Sequence, residues 1–149
     1  IVMDADFNHN PEYLKDIIQL QESNNFDMIC CSRFTNNSEK ESNFRFNASK
    51  YYNFILKPFL SSNISDQLSG FFLIKKNCLK LLEFNKIFYG YGDFYFRLIY
   101  FINKFNKKIY EFPIIYEERK FGISKTKFLD IFLKYTYEAI KFRIFLWIK

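Results

Sequence analysis

Histidine occurs once in this chain, at His9, so a Ser-His relay or a histidine metal cluster has nothing to build on. His9 is expected to shape the loop in which it sits rather than to act as a base. Cysteine is scarce as well: Cys30, Cys31 and Cys78 are odd in number and show no metal-ligand spacing. The vicinal pair lies inside the apolar run from Phe26 to Phe34, which reads as small buried hydrophobes in a reducing compartment. With 4 glycines and 3 prolines, collagen-like, low-complexity and linker-dominated readings fail.

What is present points elsewhere. The 149 residues are long enough for one domain with a real core, and 22% of them are aromatic, Phe 21 and Tyr 11 among them. Net charge is +6, and basic residues thicken after Lys104, where Lys107, Lys108, Arg119, Lys120, Lys125 and Lys127 precede an apolar tail. Such a balance suits nucleic acid, anionic lipid or phosphorylated substrates. No nucleic-acid module signature accompanies it, so lipid and phosphate are the expected partners.

Periodicity predicts an α/β chain. Pro11 to Ser23 places Tyr13, Leu14, Ile17, Ile18 and Leu20 on a helical period, with Asn10 as N-cap and Pro11 in the first turn. Phe26 to Arg33 has the continuous apolar pattern of a buried strand in a mostly parallel sheet. Thr35 to Asn43 reads as a polar loop, Ala48 to Leu60 as a helix, Ser69 to Ile74 as a strand and Lys76 to Phe84 as a short helix. Asp93 to Phe105 predicts a buried helix, and Lys108 to Tyr116 a last strand that Pro113 assigns to an edge.

Phe128 to Lys149 predicts a final helix with an apolar stripe. Lys134, Glu138, Lys141 and Arg143 interrupt it, whereas a membrane span needs roughly 20 mostly uncharged residues. A basic amphipathic helix with Trp147 near its end fits the membrane interface; packing on the protein's own core is the other reading.

The opening Ile1-Val2-Met3-Asp4-Ala5-Asp6-Phe7-Asn8 runs an apolar strand into two carboxylates spaced i, i+2. In an extended segment these lie on one face, so Asp4 and Asp6 can meet one hard cation, with the Asn8 amide oxygen next on that face. Oxygen ligands of this kind suit Mg²⁺ or Mn²⁺ shared with substrate phosphates. An isolated Asp-x-Asp is also compatible with a solvated turn.

Three stretches resolve that ambiguity through a resemblance. They are Met3-Asp4-Ala5-Asp6-Phe7-Asn8-His9-Asn10-Pro11-Glu12; Ser32-Arg33-Phe34 through Arg45-x-x-x-Ser49 to Asp66-Gln67-Leu68-Ser69-Gly70-Phe71; and Gly90-Tyr91, Glu111-Phe112-Pro113-Ile114 and Glu118-Arg119-Lys120-Phe121-Gly122-Ile123-Ser124-Lys125. In order and spacing they resemble the family 2 glycosyltransferases, most closely the dolichol- or polyprenyl-phosphate mannose synthase branch. Asn8 stands where that branch has Gln, and Phe72 where Arg is common, which weakens mannose in particular.

The resemblance implies a GT-A fold, a mostly parallel Rossmann-like sheet flanked by helices, with residues 1–127 forming the later part of the domain and 128–149 an interfacial helix. Nothing in the chain is similar to the family's opening strand with Pro-x-x-Asn-Glu or to its second acidic motif. A fragment lacking the first βαβ portion is expected, inactive on its own. The implied activity is inverting transfer of a hexose, mannose or glucose, from a GDP- or UDP-sugar to polyprenyl phosphate at the cytoplasmic membrane face.

The resemblance also implies roles. Asp4, Asp6 and Asn8 hold Mg²⁺ or Mn²⁺; Arg119 and Lys125 close over the donor diphosphate; Arg33, Arg45 and Ser49 grip the acceptor phosphate. Taken singly, each of these cations is compatible with a solvated surface charge. Asp66 is a candidate for bonding sugar hydroxyls or else an Asx turn. Asp93 is a candidate base for a hydroxyl acceptor or else a helix N-cap, the reading slightly favoured. Two rival functions remain: a family 2 transferase acting on a sugar hydroxyl in cell-envelope polysaccharide, and a noncatalytic membrane-surface module.

Overall fold

The computed structural model describes residues 1–5, 9–35, 44–60, 62–90, 92–116 and 128–147, the side chains of Arg45, Phe128, Leu129 and Trp147 excepted. Strand β1, Met28–Ser32, is buried along its whole length. Met28 and Cys30 enter one apolar cluster with Phe72, Tyr95 and Leu98, while Ile29 and Cys31 enter another with Ile17, Leu73 and Ile114. A strand covered on both faces needs apolar residues at every position, which is why the run from Phe26 is continuous rather than alternating.

β1 is central in a three-stranded sheet of order β2-β1-β3. β3, Ile109–Pro113, runs parallel to it with Met28 opposite Ile109 and Ser32 opposite Pro113. β2, Phe72–Ile74, runs antiparallel with Cys30 opposite Phe72, so the sheet is mixed. Pro113 has no N–H to give and ends an edge strand; the next amide, Ile114, donates to the Ser32 carbonyl at 2.9 Å. The opening strand contributes a single antiparallel bridge, Val2 to Phe72. β2 begins three residues later than the expected Ser69, because Gly70 takes φ +73° and the preceding amides are drawn into a turn.

Helix α1, Tyr13–Asn24, has Glu12 rather than the expected Asn10 at its N-cap position, with no side-chain capping bond. Asn10 Oδ1 accepts the Glu12 amide at 2.9 Å in an Asx turn ahead of it, and the helix stops at Asn25 with φ 55°. α2, Phe44–Phe59, begins four residues ahead of the expected Ala48 and holds Pro58 in its last turn. α3, Lys76–Leu79, and α4, Phe84–Ile87, replace the one short helix expected there. α5 is Phe94–Lys104 and α6 is Phe128–Trp147.

α1 covers one face of the sheet; α3, α4 and α5 cover the other. A further cluster joins α2, α5 and α6 through Tyr52, Leu56, Phe96, Tyr135, Ala139 and Phe142. α6 therefore has two characters. Its inner stripe belongs to the core, while Leu133, Tyr137, Ile140 and Ile144, away from that stripe, are exposed. Among the described residues no helix is long and apolar enough to cross a membrane. The α/β arrangement, a three-stranded sheet flanked by helices, is consistent with part of the expected GT-A fold.

Candidate active site

Four chain-distant segments converge beyond the end of β1. Ser32 closes the strand and Arg33 follows it, its fork meeting a fully buried Asp66: Nε donates to Oδ2 at 2.6 Å and Nη2 to Oδ1 at 2.8 Å. This is the bidentate geometry in which guanidinium and carboxylate match best. Burial alone would lower the Arg33 pKa, but the Asp66 carboxylate outweighs it and the net shift is upward, so Arg33 keeps its charge.

Asp66 is held by backbone as well. The amides of Arg33 and Leu68 donate to its carboxylate at 3.2 and 3.3 Å, the second closing an Asx turn. Glu111 on β3 accepts the Ser65 and Asp66 amides at 2.7 and 3.0 Å and fixes the turn from below. On the other side Asn53 of α2 accepts the Gln67 amide at 2.6 Å while donating to the Ser49 carbonyl.

Tyr116, just past β3, joins the remaining segment. Its hydroxyl lies 2.5 Å from His9 Nε2 and donates to the Ser69 carbonyl at 3.0 Å, and the Arg33 guanidinium stands 4.7 Å from its ring centroid. Burial pushes the Tyr116 pKa up, with Arg33 opposing, so the hydroxyl stays protonated. His9, 1% exposed, stacks on Phe71 and accepts the Asp4 amide on Nδ1 at 2.9 Å. The expectation that His9 shapes its loop agrees with this contact.

Asp4, by contrast, is exposed, and among the described residues its carboxylate makes no hydrogen bond. Among the described residues no group of three or more metal-ligating side chains forms; Asp4 contributes one exposed hard-oxygen donor, of the type that suits Mg²⁺ or Mn²⁺. Asp6, Asn8, Arg119 and Lys125 lie outside the described residues, as does the Arg45 side chain. Arg45 and Ser49 both fall on α2, four residues apart. Phe46 packs edge-on against Phe34 at 5.1 Å, which sets the first turn of α2 beside the residue that follows Arg33.

Asp93 is elsewhere. It occupies the N-cap position of α5, as the favoured reading has it, but its side chain makes no capping bond. Its Oδ2 instead accepts from Arg97 Nη1 at 2.6 Å, both side chains being fully buried. Arg97 also donates to the carbonyls of Ile87, at 2.9 Å, and Tyr89. Gly90 is required here: at φ +82° a Cβ would stand 2.5 Å from Asp93 Oδ2.

Sequence reasoning assigned no role to Glu111, Arg97 or Tyr116. A lone acid in an apolar strand and an Asp-x-x-x-Arg spacing entering an apolar helix were usable signals for the first two. For Tyr116 the chain offered none, since each of its partners is remote in sequence. The glycosyl transferase family 2 model matches residues 1–82, more than half of the chain. The protein belongs to family 2 of the glycosyl transferases and is a glycosyltransferase.

Proposed function

We propose that the protein transfers a hexose, with inversion, from a nucleotide-sugar to polyprenyl phosphate at the cytoplasmic membrane face. The observation that carries this reading is the outward apolar surface of α2 and α6, where Tyr51, Phe54, Leu133 and Tyr137 are 64–69% exposed among Lys50, Lys134 and Lys141. Apolar side chains interspersed with lysine suit the interface of an anionic membrane. The burial of Asp93 beneath Arg97 supports the same acceptor. A lipid phosphate is already ionised near neutral pH and is its own nucleophile, so the site needs cations to position it more than a base.

In this reading Arg45 and Ser49, on one face of α2, grip the acceptor phosphate. Arg33, its fork set by Asp66, joins them in that role. Arg119 and Lys125 hold the donor diphosphate. Asp4, Asp6 and Asn8 hold Mg²⁺ or Mn²⁺, which when bound supplies Lewis acidity for the departing phosphate.

The test offers polyprenyl phosphate and a sugar hydroxyl acceptor side by side and resolves the products by thin-layer chromatography, with and without EDTA. Lipid-linked hexose that disappears on chelation is expected. Arg45→Ala is then titrated separately with each substrate; loss of roughly 1.5–3 kcal/mol, about one to two decades in kcat/KM, is expected on the acceptor side. Glycosylated hydroxyl product, or a defect confined to the donor titration, overturns the assignment.

A further inference from the structure

His9 sits between two groups whose hydrogen-bonding directions are fixed. The Asp4 amide can only donate, so Nδ1 of His9 must be unprotonated to receive it at 2.9 Å. The neutral ring then carries its proton on Nε2, which faces the Tyr116 hydroxyl at 2.5 Å. Tyr116 in turn hands its own proton to the Ser69 carbonyl at 3.0 Å. The chain has one direction throughout: Asp4 amide to imidazole to phenol to carbonyl.

We propose that His9 and Tyr116 form a clip that sets the position of the strand end bearing Asp4, and are thereby positioning residues for the candidate cation site. Among the described residues the opening segment is paired to the sheet by the Val2 bridge to Phe72, with Met3 packed against the cluster of Phe71 and Leu73. Two residues further on, Asp4 projects an exposed carboxylate that makes no hydrogen bond among the described residues. The imidazole supplies the missing fixed point, and it is itself fixed, being 1% exposed, stacked on Phe71 at 4.9 Å and edge-on to Tyr116 at 4.9 Å.

The phenol extends the clip to two other parts of the site. Through Ser69 it reaches the turn that holds Asp66, and through its ring it meets the guanidinium of Arg33. It also stands three residues ahead of Arg119, at the root of the segment that carries the candidate diphosphate ligands. One hydroxyl thus joins the sequence neighbourhoods of the donor site, the sugar-side carboxylate and the acceptor side.

The clip rests on the cation reading of Asp4 only in its second readout, so the two can fail separately. As His9 is the one histidine of the chain, its imidazole nitrogens are observed in a ¹⁵N-labelled sample with no rival signal. Long-range ¹H–¹⁵N correlation is expected to show Nε2 protonated and Nδ1 unprotonated in the wild type. Tyr116→Phe keeps the ring and removes the hydroxyl; it is expected to mix the tautomers, shift the Asp4 amide, and weaken Mn²⁺ binding, followed by electron paramagnetic resonance, on the order of tenfold.

His9→Asn places an amide oxygen near the Nδ1 position and is expected to recover most of the affinity. His9→Gln reaches toward the Nε2 position instead and is expected not to. Should Tyr116→Phe fail to fold, the Asn and Gln pair makes the same comparison. A wild-type ring protonated on Nδ1 overturns the clip, as does Tyr116→Phe with unchanged tautomer, Asp4 amide and Mn²⁺ affinity. Absent Mn²⁺ binding in a wild type with the Nε2–H tautomer, together with a shifted Asp4 amide in Tyr116→Phe, overturns the cation reading and upholds the clip.

Discussion

Arg33 and Asp66 look from the sequence like two independent ligands, one for a phosphate and one for a sugar, yet each is the other's partner. The Asp66 side chain is fully buried and the Arg33 side chain 18% exposed, so the pair has lost most of its water on one side only. Removing one partner of a buried pair costs roughly 3–5 kcal/mol. Here the amides of Arg33 and Leu68 remain on Asp66 and some solvent reaches the guanidinium. Urea unfolding of Arg33→Ala is therefore expected to show a loss of about 2–3 kcal/mol, below the fully buried range. The double variant with Asp66→Asn is expected to lose less than the two single losses added together, because the stranded carboxylate is gone. Additive losses would dissolve the coupling.

At the scale of elements, Asp27 stitches the near ends of all three strands. Its carboxylate accepts the Lys108 amide at 2.9 Å ahead of β3, its carbonyl accepts the Lys75 amide at 3.0 Å after β2, and its side chain lies 3.8 Å from Lys75 Nζ. The Lys108 amide bond is the main cause that draws its pKa below the ordinary 3.8, against some desolvation. A depressed carboxylate stabilises the fold above its unfolded pKa and loses that contribution as pH falls through the folded value. Thermal melts are expected to decline below a pH of about 3.8. Asp27→Asn, which keeps an acceptor for Lys108, is expected to flatten that limb of the profile; an unchanged acid limb would assign the loss to other groups.

α1, α2, α5, α6 and β1 were legible because they are written locally, in period and in an unbroken apolar run, whereas the short helix expected over Lys76 to Phe84 is split into α3 and α4. The shortened β2 was not, since Gly70 and the turn around Asp66 are set by contacts from Glu111 and Tyr116 across the sheet. The same holds for the site: motif spacing marked Asp4, Arg33 and Asp66, but only the fold discloses that Tyr116 and Glu111 hold them. Asp93 stands at the N-cap of α5 but does not bond its amides, because Arg97, one turn on, competes for its carboxylate with a full charge.

For the whole molecule, the question is what covers the outside of α2 and α6. Tyr135, Ala139 and Phe142 are 2–8% exposed within the core, so deleting α6 would unmake the fold and report nothing about lipid. Substitution on the outer stripe separates the two roles. Leu133 is 64% exposed, Tyr137 64% and Ile144 54%, and on a helix these positions recur at intervals that keep them near one side. Exposed positions away from caps and core cost little, typically within about 0.5 kcal/mol, so Leu133→Ser, Tyr137→Ser and Ile144→Ser together should leave the melting temperature nearly unchanged. Sedimentation with anionic vesicles is expected to fall markedly in that variant. In the wild type it should weaken as salt rises, because lysines such as Lys134 and Lys141 contribute through a field that ions screen within about 10 Å at 0.1 M. Binding that ignores both the substitutions and the salt would separate this face from the membrane and remove the observation on which the proposed lipid acceptor rests.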